Sequence, residues 1–166
     1  MVINMNNIKN GFEPVYDSNS KILILGSFPS VISFKEGFYY GNHRNRFWSL
    51  MNEFFGGKVD TIADKKELLL ANNIAIWDIV LTGENTNNGK ESSADSNLKC
   101  EIVADIPMIL EGSKVSKIIC NGKKAYELFC KHYPNLIYMS VCLPSTSPAN
   151  VRFDKTLWQK ELGIME

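Results

Sequence analysis

The sequence predicts one α/β domain over residues 1–166, built on a mostly parallel four-stranded sheet with helices on both faces. Three observations predict it. The chain has 166 residues, 45% hydrophobic and 22% charged, which fits one globular domain with a sizeable core. Four short apolar runs lack polar–apolar alternation, as expected of strands buried on both faces. Stretches with helical periodicity separate these runs, and that order favours parallel strands joined by helices.

The four apolar runs are the predicted strands. They cover residues 21–25 (KILIL), 74–80 (IAIWDIV), 115–120 (VSKIIC) and 136–142 (LIYMSVC). The first run ends at Gly26, and the second contains one charged residue, Asp78. Each run is short enough to be a single buried strand rather than a helix.

Five helices are predicted around these strands. They cover residues 45–55, 64–72, 101–110, 123–132 and 153–162. The first carries an apolar stripe of Phe47, Leu50, Met51 and Phe54, and a pair of glycines follows it. The polar stretch 82–96 is predicted to be a long loop.

Charge and composition exclude several classes of function. Lys plus Arg and Asp plus Glu both number 18, which argues against a binder that relies on a broad positive surface but leaves room for a local basic cleft. No apolar run approaches the roughly 20 residues that span a membrane. The first residues show no secretory signal, so we expect a cytoplasmic protein without membrane contact.

The cysteines and histidines do not match a metal site. The four cysteines (Cys100, Cys120, Cys130 and Cys142) form no C-x-x-C pair, and there are only two histidines. We therefore expect free structural thiols and neither a metal nor a cofactor.

The predicted topology brings several polar segments to one edge of the sheet. Ligands bind beyond the carboxyl ends of parallel strands. Those ends carry the turn at 26–30, Asp78, the Asn121–Gly122 pair and the loop at 143–150. This edge is the predicted binding site.

Four segments in register carry a family resemblance. They are GSFPS at 26–30, NRFW at 45–48 within YYGNHRNRFW, WD at 77–78 and LPSTSPAN at 143–150. Together they resemble the uracil-DNA glycosylase superfamily, and most closely its hypoxanthine- or deoxyinosine-DNA glycosylase branch, which is related to the mismatch-specific uracil and thymine glycosylases. The resemblance runs from about residue 12 to 162 and implies a three-layer glycosylase fold.

The resemblance implies a catalytic role for Asn45. Mismatch-specific relatives carry a water-orienting asparagine in the first motif, where this sequence has Phe28. In the deoxyinosine branch that asparagine lies in the downstream block, at the position of Asn45. The residue pattern alone also fits Asn45 as a helix cap. Both roles are compatible only if the cap does not consume the amide oxygen.

The base-binding residues implied by the resemblance are Phe28, Tyr40, Asp78 and Asn121. Tyr40 would stack on an extruded base, with Phe28 as the opposite wall, and Phe38 and Tyr39 are further aromatics of the same kind. Asp78 would accept a hydrogen bond from the base edge, or alternatively anchor a loop.

The DNA-backbone residues implied by the resemblance are neutral hydroxyl donors. Ser145, Thr146 and Ser147 lie between two prolines that pre-set the last motif, and Ser27 and Ser30 would act likewise.

The function expected is a monofunctional glycosylase that acts on DNA containing deaminated bases, hypoxanthine first and then uracil. Two alternatives stay open on the same fold: a uracil- or mismatch-preferring glycosylase, and a non-catalytic lesion-binding module. A small-nucleotide-binding domain on a similar sheet is disfavoured because the G-x-G-x-x-G and P-loop patterns are missing. We expect a monomer.

Overall fold

The structure is a computed structural model that describes residues 8–85 and 98–164, and its strands form two sheets. In chain order the strands are β1 (Ile8–Asn10), β2 (Ile22–Gly26), β3 (Ile74–Asp78), β4 (Val80–Asn85), β5 (Leu98–Val103), β6 (Lys117–Asn121) and β7 (Ser140–Leu143). The larger sheet is parallel, with strand order β3-β2-β6-β7, and the smaller is antiparallel, with order β1-β4-β5. The predicted α/β class and four-stranded parallel sheet are confirmed.

In residues 8–85 and 98–164, six α-helices and a 3₁₀ helix accompany the strands. They are α1 (Val31–Glu36), α2 (Phe47–Phe55), α3 (Ile62–Ala71), α4 (Ile106–Glu111), α5 (Lys123–His132), the 3₁₀ helix (Pro134–Met139) and α6 (Lys155–Glu161). No helix in the described part of the chain is long and apolar enough to cross a bilayer.

The strand order places helices on both faces of the parallel sheet. The chain moves from β2 to β3 in one direction and from β6 to β7 in the other. Because parallel crossovers are right-handed, α1–α3 and α5 must lie on opposite faces. The fully buried Trp158 of α6 packs edge-on against Phe47 of α2, and the Tyr133 hydroxyl after α5 bonds to the carbonyl of Ala104 before α4. These contacts complete the three layers.

The predicted strand at 74–80 is wrong at its end. The parallel register of β2 and β3 ends at the pair Gly26–Asp78. The N–H of Ile79 still donates to the Gly26 carbonyl at 2.8 Å, but that of Val80 donates to the Ser27 carbonyl at 3.1 Å, outside the regular ladder. Val80 then starts β4, which pairs with β5. Residues 82–85 of the predicted loop therefore belong to a strand, and 86–96 lie outside the described residues.

The predicted helix at 101–110 and the predicted strand at 136–142 also need correction. Residues up to Val103 pair with β4, and the helix begins only at Ile106, after Asp105 caps it and with a proline in its first turn. Residues 134–139 form a 3₁₀ helix that begins at Pro134, and the strand starts at Ser140. At 101–103 pairing with β4 outweighs the helical pattern of the sequence. At 134–139 the proline at the start of the segment favours a helical turn over the predicted strand.

Three cysteines in the described residues are free thiols. Cys120 and Cys142 lie opposite each other on β6 and β7, and Cys130 lies on α5. Burial raises the pKa of the Cys120 and Cys142 thiols above the usual value, so both stay protonated and behave as small apolar side chains.

Candidate active site

The candidate site lies where β2, β3 and β6 end, at the position where the strand order changes direction. Gly26 and Asp78 are register partners at the ends of β2 and β3, and Asn121 ends β6. Asp78 is only 5% exposed. A carboxylate at the end of a fully buried strand is costly unless polar groups face it, so this edge is a candidate functional site.

Gly26 lets two polar groups approach the backbone closely. A Cβ at this position would lie 2.4 Å from Asp78 Oδ1 and 2.9 Å from Tyr40 Oη. Real Cβ atoms do not tolerate such distances, so the carboxylate and the phenol occupy the space that any larger residue would fill. The first motif thus begins with glycine because Asp78 and Tyr40 converge on it.

The backbone of Tyr40 is held in an unfavourable conformation. Its φ is 53°, a region that a bulky residue rarely adopts. Hydrogen bonds fix the chain on both sides: Trp48 Nε1 donates to the Tyr39 carbonyl at 2.8 Å, and the Gly41 N–H donates to Ser33 Oγ at 3.0 Å. Such strain persists only where surrounding contacts determine it, which points to a role for the side chain.

The Tyr40 ring packs on Phe47, with the ring centroids 4.3 Å apart. Tyr40 is half-buried, whereas Phe38 and Tyr39 are 5% and 2% exposed. The prediction that Phe38 and Tyr39 also serve as stacking surfaces is therefore wrong, because both belong to the core. Burial raises the pKa of the Tyr39 hydroxyl, and the nearby Asp78 carboxylate raises it further. The hydroxyl therefore stays protonated and donates to the Glu13 carbonyl at 2.8 Å.

Ser33 supports the loop that carries Tyr40, a role that the sequence did not reveal. It is 3% exposed, and its hydroxyl accepts the Gly41 N–H and contacts the hydroxyl of Ser30 at 3.1 Å. A Cβ at Gly41 would lie 2.8 Å from Cβ of Glu36, so glycine is needed where the loop crosses α1. The sequence analysis did not predict α1, so it could not indicate that a serine on this helix binds the loop at Gly41.

Asn45 is not the cap that the residue pattern alone predicted, because α2 begins at Phe47 and its N-cap position is Arg46. The Asn45 Oδ1 instead accepts the N–H of Phe47, two residues on, at 2.9 Å. This bond takes one acceptor position of the oxygen. An amide oxygen has two such positions, so the second can still accept a hydrogen bond from water. The half-buried side chain is held in one orientation by this bond.

Asn121 and Thr146 form a buried pair. Asn121 Nδ2 donates to Thr146 Oγ1, and the Thr146 N–H donates to Asn121 Oδ1, both at 3.0 Å. Thr146 is fully buried and Asn121 is 9% exposed. These bonds satisfy both ends of the Asn121 amide within the protein, so the pair fixes the 143–150 loop on β6. This geometry argues against direct contacts with a base by Asn121 or with DNA by the Thr146 side chain.

The rest of the 143–150 loop is rigid but accessible. Ser145 Oγ accepts the Ser147 N–H at 3.1 Å, and Asn150 Nδ2 donates to the Ser145 carbonyl at 3.0 Å. Trp158 Nε1 anchors the Pro144 carbonyl from α6 at 2.8 Å. Both serines are half-buried, so their hydroxyls lie at the surface of a pre-formed loop.

The remaining predicted site residues lie on the turn after β2. Ser27 and Phe28 are half-buried, and the Phe28 ring packs 5.5 Å from the ring of Phe34 on α1. Ser30 caps α1, accepting the Ser33 N–H at 3.1 Å, so its oxygen is engaged in the helix start. Within residues 8–85 and 98–164, no cluster of three His, Cys, Asp or Glu side chains could hold a metal ion.

Known proteins share this arrangement of elements. The family model described as the uracil DNA glycosylase superfamily matches residues 13–162. The chain is 39% identical over 155 residues to the hypoxanthine DNA glycosylase of Methanosarcina acetivorans, covering 89% of this chain and 92% of that protein. It is 34% identical over 122 residues to the protein of the same name from Methanosarcina barkeri, covering 72% and 74%.

A solved structure also matches. It is the solution NMR structure of a candidate uracil DNA glycosylase from Methanosarcina acetivorans, with a TM-score of 0.73 and 36% sequence identity. The match covers 95% of this chain and 96% of that one. The fold is therefore shared over nearly the whole length.

Thr146→Val should destabilise the protein measurably. The change removes the acceptor of Asn121 Nδ2 and leaves a buried donor unpaired, which costs about 1–3 kcal/mol. For a chain of this size, each kcal/mol lowers Tm by about 2–4 °C, which thermal unfolding followed by circular dichroism detects. Thr156→Val is the matched control, because its hydroxyl contacts Asp154 at the exposed start of α6. Equal Tm values for the two variants would contradict the importance of the buried pair.

Proposed function

Since this chain belongs to the uracil DNA glycosylase superfamily, we propose that it is a DNA glycosylase that removes deaminated bases, hypoxanthine first, and leaves an abasic site. The observation that carries the proposal is the convergence of the buried Asp78 carboxylate and the Tyr40 phenol on Gly26. The similarity to hypoxanthine DNA glycosylases over most of the chain supports the choice of base.

The base is recognised outside the DNA helix. A glycosylase cannot reach the glycosidic bond of a stacked base, so the nucleotide is flipped into a pocket and gripped by stacking and edge contacts. Tyr40, held at positive φ against Phe47, is the stacking surface. Phe28, half-buried on the turn after β2, is the opposite wall.

Asp78 reads the edge of the base. Its carboxylate accepts a hydrogen bond from N1–H of hypoxanthine or from N3–H of uracil. Guanine and hypoxanthine both carry N1–H, whereas unmodified adenine and cytosine present an acceptor at the corresponding position, so the carboxylate rejects the parent bases of the two deaminated ones. Burial strengthens this discrimination, because an acceptor–acceptor contact has no water to relieve it.

Asn45 orients the water that attacks the sugar. The bond between base and C1′ breaks, the base leaves with the bonding electrons and takes up a proton, and water adds to C1′. An amide has no useful pKa and does not act as a general base. Its contribution is a fixed dipole: the Phe47 N–H holds the oxygen in place, and the second acceptor position receives the water.

The 143–150 loop holds the DNA backbone beside the flipped nucleotide. The hydroxyls of Ser145 and Ser147 are the donors we assign to phosphate, with Ser27 on the opposite turn. Thr146 supports them from inside, through its bonds to Asn121. Because the loop is already ordered, little conformational entropy is lost on binding.

Uracil is the second candidate substrate. The same Asp78 carboxylate accepts its N3–H, and the similar NMR structure is described as a candidate uracil DNA glycosylase. Phe28 stands where mismatch-specific relatives place their catalytic asparagine, which argues for weaker action on uracil.

The defining experiment is base release from three labelled duplexes, carrying deoxyinosine, deoxyuridine or neither, followed by alkaline cleavage of abasic sites. The wild type should cleave the deoxyinosine strand best, and Asn45→Ala should lose about 10²–10³-fold in rate, as when a positioned dipole is removed from an active site. Asp105→Ala is the control, because it also removes a side-chain bond to a backbone N–H at the start of a helix, the bond from the Met108 N–H to Asp105 at 3.2 Å in α4. Equal activity of Asn45→Ala and wild type would leave Asn45 with only its structural bond to Phe47. No release by the wild type from any strand would favour a non-catalytic lesion-binding module.

Gly26→Ala should abolish most of the activity without unfolding the protein. The new Cβ must displace the Asp78 carboxylate and the Tyr40 hydroxyl, and a shift of about 1 Å in a catalytic site costs on the order of 10²-fold in rate. Gly112→Ala is the control, because Gly112 has a φ of −89° and its Cβ would meet only the Tyr16 ring, at 3.3 Å, and a carbonyl of its own helix. Steady-state kinetics on deoxyinosine DNA and a thermal unfolding curve measure both effects. Full activity in Gly26→Ala would show that the two groups tolerate displacement.

A further inference from the structure

We infer that Arg46 is a positioning residue that couples the 143–150 loop to Asn45, so that the seating of the DNA backbone sets the position of the water-orienting amide. This inference rests on the proposed function. Arg46 follows Asn45 directly and is the last residue before α2. It contacts the distant loop through both its main chain and its side chain.

The main-chain contact ties the start of α2 to the loop. The Arg46 N–H donates to the Thr146 carbonyl at 3.0 Å. Thr146 is the fully buried residue that Asn121 fixes on β6. The peptide between Asn45 and Arg46 is therefore held by a buried loop residue that Asn121 ties to the sheet.

The side-chain contact ties the same residue to the next carbonyl. Arg46 Nη1 donates to the Ser147 carbonyl at 2.9 Å, across 101 positions of sequence. The guanidinium carbon lies 5.0 Å from the centroid of the Phe153 ring. Two successive loop carbonyls and one aromatic face thus determine where Arg46 lies.

Arginine has the shape that this position needs. Its planar guanidinium can stack on a ring and donate in its own plane at the same time, which the compact ammonium of lysine does not reproduce. One of its five N–H donors serves Ser147 O, so others remain to face a phosphate seated on the Ser145 and Ser147 hydroxyls. A phosphate there would pull on the same guanidinium that holds the loop.

The coupling reaches Asn45 through the first turn of α2. The Asn45 amide oxygen accepts the Phe47 N–H, and the Asn45 N–H donates to the Asn42 carbonyl at 2.8 Å. A shift of Arg46 therefore shifts the peptides on which the Asn45 side chain is oriented. Arg46 and Phe153 also border an open groove of about 500 Å³ between α2 and the start of α6, so a substitution of Arg46 does not disturb a closely packed core.

Arg46→Lys is the central test, because it keeps the charge and loses the planar stack. We expect the single-turnover rate of hypoxanthine release at saturating protein to fall about 10–10²-fold, the effect of small misplacement in a catalytic site. Affinity for the same duplex, measured with the Asn45→Ala background to prevent cleavage, should change less than about threefold, because the charge that faces the phosphate is kept. Arg44→Lys is the matched control on the exposed side of Asn45, and its rate should equal that of the wild type.

Variants of Phe153 provide a second test of the coupling. Phe153→Leu removes the ring under the guanidinium and should lower the rate in the same direction, whereas Phe153→Tyr keeps the ring and should restore it. The Arg46→Lys/Phe153→Leu double variant should be no slower than the slower single one, because the two residues act as a unit. Additive losses, or a loss of affinity with an unchanged single-turnover rate, would overturn the coupling and leave a simple phosphate contact. If a lower Tm accounted for the lost activity, the coupling would be overturned and Arg46 would have only a structural role.

Amide hydrogen exchange separates this inference from the proposed function. The Phe47 N–H reports directly on its bond to Asn45, and the Arg46 N–H reports on its bond to Thr146. In Arg46→Lys both amides should exchange faster, whether or not base release is detected, and in Arg44→Lys neither should change. Unchanged exchange in Arg46→Lys would refute the coupling even if the protein is an active glycosylase. A wild type that releases no base would refute the function alone.

Discussion

The convergence of the Asp78 carboxylate and the Tyr40 hydroxyl on the space that a side chain of Gly26 would fill is the constraint on which the candidate site depends. It requires parallel pairing in one register, because only that register puts Gly26 opposite Asp78. A slip by one residue would place Leu25 there and turn every side chain of β2 to the other face. The buried core of the sheet, in which Leu23, Ile24 and Leu25 are fully buried, fixes this register. The chemistry at the strand ends is thus positioned by the hydrophobic pattern within the strands.

Tyr40 shows how a strained residue is retained. A side chain in the left-handed region costs on the order of 1–3 kcal/mol. Each flanking hydrogen bond, from Trp48 to the Tyr39 carbonyl and from Gly41 to Ser33, contributes about 0.5–1.5 kcal/mol net. The two bonds therefore offset a strain of similar size, and ring packing on Phe47 adds to them. Loss of either bond would leave the conformation close to balance, which is why Ser33 and Trp48 matter to a site they do not line.

The sequence predicted the parts of this protein that depend on local pattern. Runs such as KILIL identify buried strands by themselves, and the rule that parallel strands end at one edge is enough to bring Gly26, Asp78 and Asn121 together. The antiparallel sheet was missed because Val80–Asn85 and Leu98–Val103 are defined by pairing with each other rather than by periodicity. The Asn121–Thr146 pair was missed for the same reason, since its two bonds join residues 25 positions apart. Sequence patterns place the ends of strands, but they do not show which polar groups satisfy one another there.

The local bond of Asn45 bears on the catalytic role that we propose for it. Asn45 Oδ1 accepts the Phe47 N–H two residues on, which contributes stability just before α2 and removes rotational freedom from the amide. A water-orienting dipole is effective only if it needs no reorganisation when the reaction occurs. The bond from the Phe47 N–H at the start of α2 meets that requirement before any substrate binds. In the mechanism that we propose, the second acceptor position of the oxygen receives the water at little further entropic cost, so the same bond that orders the chain before α2 pre-organises the water-orienting group.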